Sequence, residues 1–220
     1  MENNILVAPS ILGVSEDNLR VVVTNLINAK VDLIHFDVMD GKFVSNVSFT
    51  GREIDIVGET LSSSIIDVHL MVEDVKDYID RFAREKVKNI TFHYEATKDQ
   101  DINSLIDYVH NKGIECGLSV SPDTPVEVLK PYLNKVELVL VMSVVPGKGG
   151  QKFLESAIGK LEYLKKEKKD NNYKYVIEVD GGINDLTCEE AKKAGAEILV
   201  AGSYILKSED YSERVEVLKR

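Results

Sequence analysis

At 220 residues the chain is long enough for one large domain that buries most of its apolar surface, and 44% hydrophobic with 29% charged residues is the composition of a soluble globular protein. A formal net charge of −10 argues against nucleic acid or an anionic membrane as partner, so an anionic small molecule would need local help from backbone donors or a cation. No run approaches a membrane span, Met1–Asn4 has no basic leader region, and Cys116 and Cys188 stand far apart in apolar settings, which reads as a cytoplasmic protein with buried reduced thiols.

Apolar strand-like runs alternate with amphipathic helical runs from end to end. The first strand is expected over 5–10 and its helix over 16–29, with Ser15 as N-cap and Leu19, Val22, Val23 and Leu26 at helical spacing. Strand two follows over 32–37, then a Gly- and Ser-bearing loop and a short helix over 52–59. Strand three is expected over 65–69 with a helix over 75–84, and strand four over 89–92 with a helix over 102–111. After strand five, over 115–120, Thr124-Pro125 opens a short helix with proline at its first position. Strand six covers 137–142 and the longest helix 153–168, whose Lys165–Asp170 end reads as solvated. Strand seven covers 174–180 with a helix over 186–194, and strand eight 197–201 with a closing helix over 212–218. Eight strand–helix units imply a parallel sheet closed into a (β/α)8 TIM barrel, one domain over 1–220, with a doubly wound open sheet as the competing architecture.

In such a barrel the working residues sit at the carboxyl ends of the strands. Ser10 ends strand one, His35 and Asp37 strand two, His69 strand three and Asp180 strand seven. His35 and Asp37 lie two apart and so share a face, as a structural pair or as half of a metal or acid/base site. The two histidines and two aspartates converge on one rim, and a nitrogen and carboxylate set without thiolates suits one divalent ion: zinc, iron(II), manganese or cobalt. Met39, Met71 and Met142 sit on the same rim, as packing or as a water-excluding hydrophobic cap. Glycine-bearing loops after strands six, seven and eight (Gly147-Lys148-Gly149-Gly150, Gly181-Gly182, Gly202-Ser203) let backbone N–H groups approach an anion, where this fold usually holds phosphate.

The motifs Ala8–Leu12, His35–Val44, Asp67–Met71, Val145–Gln151 and Val179–Ile183 closely resemble those of the ribulose-phosphate 3-epimerase family, in family order from Ala8 to Ser203. By that resemblance His35, Asp37, His69 and Asp180 correspond to metal ligands, Asp37 and Asp180 also to the acid/base pair, and Ser10 to a substrate-contacting serine. The loops Gly147–Gly150, Gly181–Gly182 and Gly202–Ser203 correspond to phosphate and substrate loops, with His69 and Lys148 counted among the substrate-facing residues. Two positions depart from the family pattern: Lys148 stands where an aromatic Phe is usual and Ser45 where Pro is usual. Lys148 is either a phosphate contact or a solvated loop lysine. His93, Glu95 and Asp67 are expected in structural or supporting roles, and His110 on the surface. The function implied is a metal-dependent interconversion of D-ribulose 5-phosphate and D-xylulose 5-phosphate through an enediolate, with homo-oligomerisation left open. Rivals are a 3-epimerase of a six-carbon ketose phosphate such as allulose 6-phosphate, a barrel metal hydrolase and a catalytically silent phosphosugar-binding protein.

Overall fold

A computed structural model describes residues 5–98 and 100–220; the Met1–Asn4 stretch read above lies outside them. The apolar runs form eight strands: β1 (Leu6–Ala8), β2 (Ile34–Met39), β3 (Ile66–Met71), β4 (Val87–His93), β5 (Glu115–Val120), β6 (Leu138–Met142), β7 (Val176–Asp180) and β8 (Ile198–Val200). All ladders are parallel, and neighbours in the sheet run β1-β8-β7-β6-β5-β4-β3-β2 without the order reversal of a doubly wound sheet. β1 and β2 meet through a Ser10–His35 bridge, where the His35 N–H donates to the Pro9 carbonyl (3.0 Å) and the Ile11 N–H to the His35 carbonyl (3.2 Å). That contact brings the two ends of the sheet together as a barrel.

Among the described residues eight α-helices complete the set: α1 (Leu19–Asn28), α2 (Arg52–Gly58), α3 (Val75–Phe82), α4 (Ile102–His110), α5 (Ser156–Asn171), α6 (Thr187–Ala194), α7 (Ser203–Leu206) and α8 (Tyr211–Lys219). Asp74, Asp101 and Asp210 cap α3, α4 and α8 by accepting from first-turn backbone N–H groups. None of the described helices is long and apolar enough to cross a membrane.

Strand alternation sorts side chains into two cores. Outward Ile34, Phe36 and Val38 pack with helix residues such as Leu19, Val23 and Leu26, all fully buried. Inward Ala8, Leu33, Leu138, Leu140, Ile198 and Val200 form a smaller apolar cluster inside the barrel. On the β2–β5 side and on β7 the interior is polar instead, with Asp67, Asn89, Thr91, Ser119 and Glu178 buried there.

Several boundaries differ from expectation. A 3-10 turn (Glu16–Asn18) precedes α1, and the Ser15 hydroxyl accepts from the Asn18 side-chain Nδ2 (3.0 Å) and caps no backbone N–H. After β5 a 3-10 segment (Val126–Tyr132) stands in place of a helix; Pro125 precedes it, and Pro131 within it lacks the N–H that an α turn needs. The longest helix starts at Ser156, since the Leu154 N–H donates to the Ser143 carbonyl (2.8 Å) and holds that stretch against the end of β6. Cys116 and Cys188 are free and buried.

Candidate active site

Period-two alternation turns His35, Asp37 and Met39 of β2 into the barrel. The β2–β3 register sets His35 beside Asp67 and Asp37 beside His69. Asp180 ends β7, beside Met142 of β6 and Val200 of β8. One ligand atom from each of His35, Asp37, His69 and Asp180 lies within 4.8 Å of the others. Asp37 Oδ1 is 3.5 Å from His35 Nε2 and 3.3 Å from His69 Nδ1. Ligands held at about 2.0–2.2 Å by one ion stand about 3–3.5 Å apart, so this spacing suits a shared cation. His35 Nε2 is buried without a hydrogen-bond partner, and the donor set is nitrogen and carboxylate oxygen, so the residues fit a divalent ion. A second group, His35, Asp67 and Glu178, also converges deeper in the barrel, but there His35 Nδ1 already meets Asp67 Oδ2 at 2.5 Å.

The electrostatics separate the two aspartates. Burial alone would raise Asp37, but the neighbouring His35 and His69 outweigh it and hold that carboxyl far below the carboxylate range. Burial and then the Asp37 charge push Asp180 up to about 7. Burial lowers the His69 imidazole to about 4. On His35 burial acts in the same direction, but the Asp67 and Asp37 charges outweigh it and raise the ring well above its ordinary value.

A cleft of about 290 Å³ opens over this cluster. Its walls include Ser10, Asp37, Asp180, Met39, Met71 and Met142, together with the three glycine loops: Gly147, Lys148, Gly149 and Gly150, then Gly181 and Gly182, then Gly202 and Ser203. His35 and His69 lie fully buried behind the wall. The Ser10 hydroxyl donates to Asp37 Oδ2 (2.6 Å), so it orients the carboxylate as well as facing the cleft. Asn46 donates to the Gly147 carbonyl (2.7 Å), tying the loop after β2 to the loop after β6. Lys148 and Ser45 are both exposed.

Four contributors were not singled out by the sequence reading. Lys207 lines the cleft just after α7 and adds a cation near Ser203; only its place after Gly202-Ser203 hinted at it. Glu178 faces inward on β7 by the same alternation that places Asp180, and burial, then the Asp67 charge, push its carboxyl well above the ordinary range. Ser48 donates to the Asp37 carbonyl (2.6 Å) and accepts from the Met39 N–H (2.9 Å), and nothing in its Ser- and Asn-rich loop marked it. Asn89 donates to Asp67, which orients the partner of His35. Asp67 therefore serves His35 on the neighbouring strand, and His93 meets His69 Nε2 at 2.8 Å through its own Nε2. His110 is half-exposed and pairs with Glu137 at 2.9 Å.

A family model described as ribulose-phosphate 3 epimerase matches residues 6–206. A relative from Schizosaccharomyces pombe named ribulose-phosphate 3-epimerase is 36% identical over 215 residues, covering 97% of this chain and 92% of the relative. One from Oryza sativa subsp. japonica, named as the cytoplasmic isoform of ribulose-phosphate 3-epimerase, is 36% identical over 217 residues, with 97% and 92% covered. A solved structure described as KGPDC from Streptococcus mutans superposes with a TM-score of 0.75 over 98% of this chain and 95% of that one; at 12% identity this is a likeness of fold alone.

Proposed function

The chain belongs to the ribulose-phosphate 3-epimerase family, and from that premise we propose that it interconverts D-ribulose 5-phosphate and D-xylulose 5-phosphate with Asp37 and Asp180 as its two acid/base groups and a divalent ion held by His35, Asp37, His69 and Asp180. The observation that carries the reading is the meeting of two carboxylates, from β2 and β7, in one cleft with both histidines directly behind them. When bound, the ion supplies positive charge beside the carbonyl and hydroxyl oxygens of the ketose.

The residues divide the remaining work. Inverting the carbon next to a carbonyl requires removing a proton from one face and returning one to the other, and two carboxylates on different walls do this without turning the sugar over. Ser10 holds the Asp37 carboxylate in place through Oδ2. At the start of each direction one carboxylate of the pair must be ionised to take the proton while the other carries one to give. Met39, Met71 and Met142 exclude water around the reacting carbon. The glycine loops and Lys207 offer backbone donors and a charge to the phosphate, whose remote binding fixes the orientation of C3. We read 1–220 as one barrel domain acting in the cytoplasm, a location supported by the named cytoplasmic isoform among its relatives.

Asp37→Asn and Asp180→Asn should each lower epimerisation by roughly 10²–10⁴-fold. If either variant still exchanges the C3 proton with solvent without epimerising, its remaining carboxylate serves that face. Near-normal epimerisation by either variant, or full activity after exhaustive chelation, overturns the reading. Comparing kcat/KM on five- and six-carbon ketose phosphates decides between the two substrate lengths.

A further inference from the structure

Behind His69, away from the cleft, three side chains form a line: His69 Nε2 meets His93 Nε2 at 2.8 Å, and His93 Nδ1 meets Glu95 Oε2 at 3.0 Å. Glu95 Oε1 accepts the Ser121 N–H at 2.7 Å, which anchors the far end to the chain just past β5. The His69 and His93 ring centroids are 5.0 Å apart with 30° between planes. With the two nitrogens in contact, that spacing is an edge-to-edge hydrogen bond and not a face stack. Phe43, from the loop after β2, packs against the His93 ring with centroids 4.9 Å apart. Both histidines are fully buried, so bulk water does not supply alternative partners.

Donor and acceptor accounting fixes the protons along this line. Glu95 takes the Ser121 N–H at Oε1 and meets His93 Nδ1 at Oε2, and as a carboxylate it only accepts. His93 Nδ1 must then carry a proton. Two arrangements remain for the nitrogen–nitrogen contact, which needs one proton between its partners. In the first, neutral His93 accepts at Nε2 from a His69 Nε2–H, leaving the His69 Nδ1 lone pair aimed at the Asp37 side of the cluster. In the second, His93 is an imidazolium that donates to His69, leaving an N–H on His69 Nδ1. Only the first is compatible with a cation between His69 Nδ1 and Asp37 Oδ1, which stand 3.3 Å apart.

We propose that His93 and Glu95 are positioning residues that fix His69 as its Nε2–H tautomer and so present Nδ1 as the ligand. His35 is oriented by the opposite ring edge, through Nδ1 to Asp67, and presents Nε2. The two histidines thus use different nitrogens, each backed by a carboxylate, one directly and one through a second imidazole. This inference rests on the metal reading above, and its test separates the two.

Zinc affinity is measured by competition with a chromophoric chelator on the folded chain, with circular dichroism as the check on folding. The parent should bind one zinc ion, and Asp37→Asn should lose it. If the parent binds none, or Asp37→Asn binds as the parent does, the metal reading itself fails. Given that site, His93→Phe should weaken zinc binding by about 10–100-fold, since it removes the acceptor for His69 Nε2–H. His93→Gln should recover most of the affinity, because its carbonyl oxygen can accept from His69 while its amide donates to Glu95. Glu95→Gln provides a second route if His93→Phe does not fold, and should weaken zinc binding in the same sense. In ¹⁵N-labelled zinc-loaded parent, NMR should report protons on His69 Nε2 and His93 Nδ1. Parent-like zinc affinity in His93→Phe and Glu95→Gln, or a proton on His69 Nδ1 in the loaded protein, overturns the orienting role while leaving the metal site standing.

Discussion

Asp37 and Asp180 carry the same functional group, and their neighbours push the two carboxyls in opposite directions. Two histidines and a serine hydroxyl surround Asp37, whereas Asp180 sits in the barrel mouth facing the Asp37 charge. Glu95 is a third acid whose state depends on its setting, and it gives a stability test. Its pKa falls from an ordinary 4.5 to about 2 in the fold, so the stability it contributes is fully present above about pH 4.5 and is lost as pH falls through about 2. Its side chain is 21% exposed, so the contribution is discounted to roughly 2 kcal/mol. Urea unfolding of Glu95→Gln should show a deficit of that order at pH 6 that narrows at pH 3.5. A deficit independent of pH would place the loss in packing and not in the ionised carboxylate.

At the scale of elements, the loops after β6 and β7 are held by backbone approach. Gly182 has φ +65°, and a Cβ built on it would collide with the Phe153 backbone nitrogen, just before α5. Gly150 has a similar φ of +73° but nothing within 4 Å of such a Cβ. Gly150→Ala should therefore cost only backbone strain, about 1 kcal/mol, whereas Gly182→Ala must also displace the chain before α5 and should cost about 2–3 kcal/mol more. Gly182→Ala should also lower kcat, since it shifts the turn two residues beyond Asp180. Denaturant unfolding and turnover of both variants check this; equal costs would mean that the approach to Phe153 relaxes freely.

For the whole molecule, the proposed ligands from β2, β3 and β7 would make a bound ion a cross-link between distant parts of the ring. An ion that binds only the folded chain stabilises it by mass action, by about 2.7 kcal/mol at one hundred times Kd. For a chain of this size that corresponds to a rise in Tm of about 5–10 °C. Zinc titration followed by thermal unfolding should show this rise in the parent, reversed by chelator, and none in Asp37→Asn. A parent Tm indifferent to zinc at concentrations that saturate the site would contradict the cross-link.

Much of this molecule is written in local periodicity. Apolar runs and helical stripes mark the eight strand–helix units, and alternation along β2, β3 and β7 turns His35, Asp37, His69 and Asp180 toward the barrel interior. Glycine at 147, 181 and 182 marks the loops because positive φ is a local demand. What tertiary structure alone decided is which inward side chains stand at the same height. Asp67 serves His35 because the β2–β3 register sets them side by side, 32 residues apart in the chain. His93 reaches His69 across the β3–β4 pair, and the Ser10 hydroxyl reaches Asp37 across the contact that brings β1 to β2. Period two in one strand fixes the face of a residue but carries no information about the register of its neighbour, which closure of the whole ring sets.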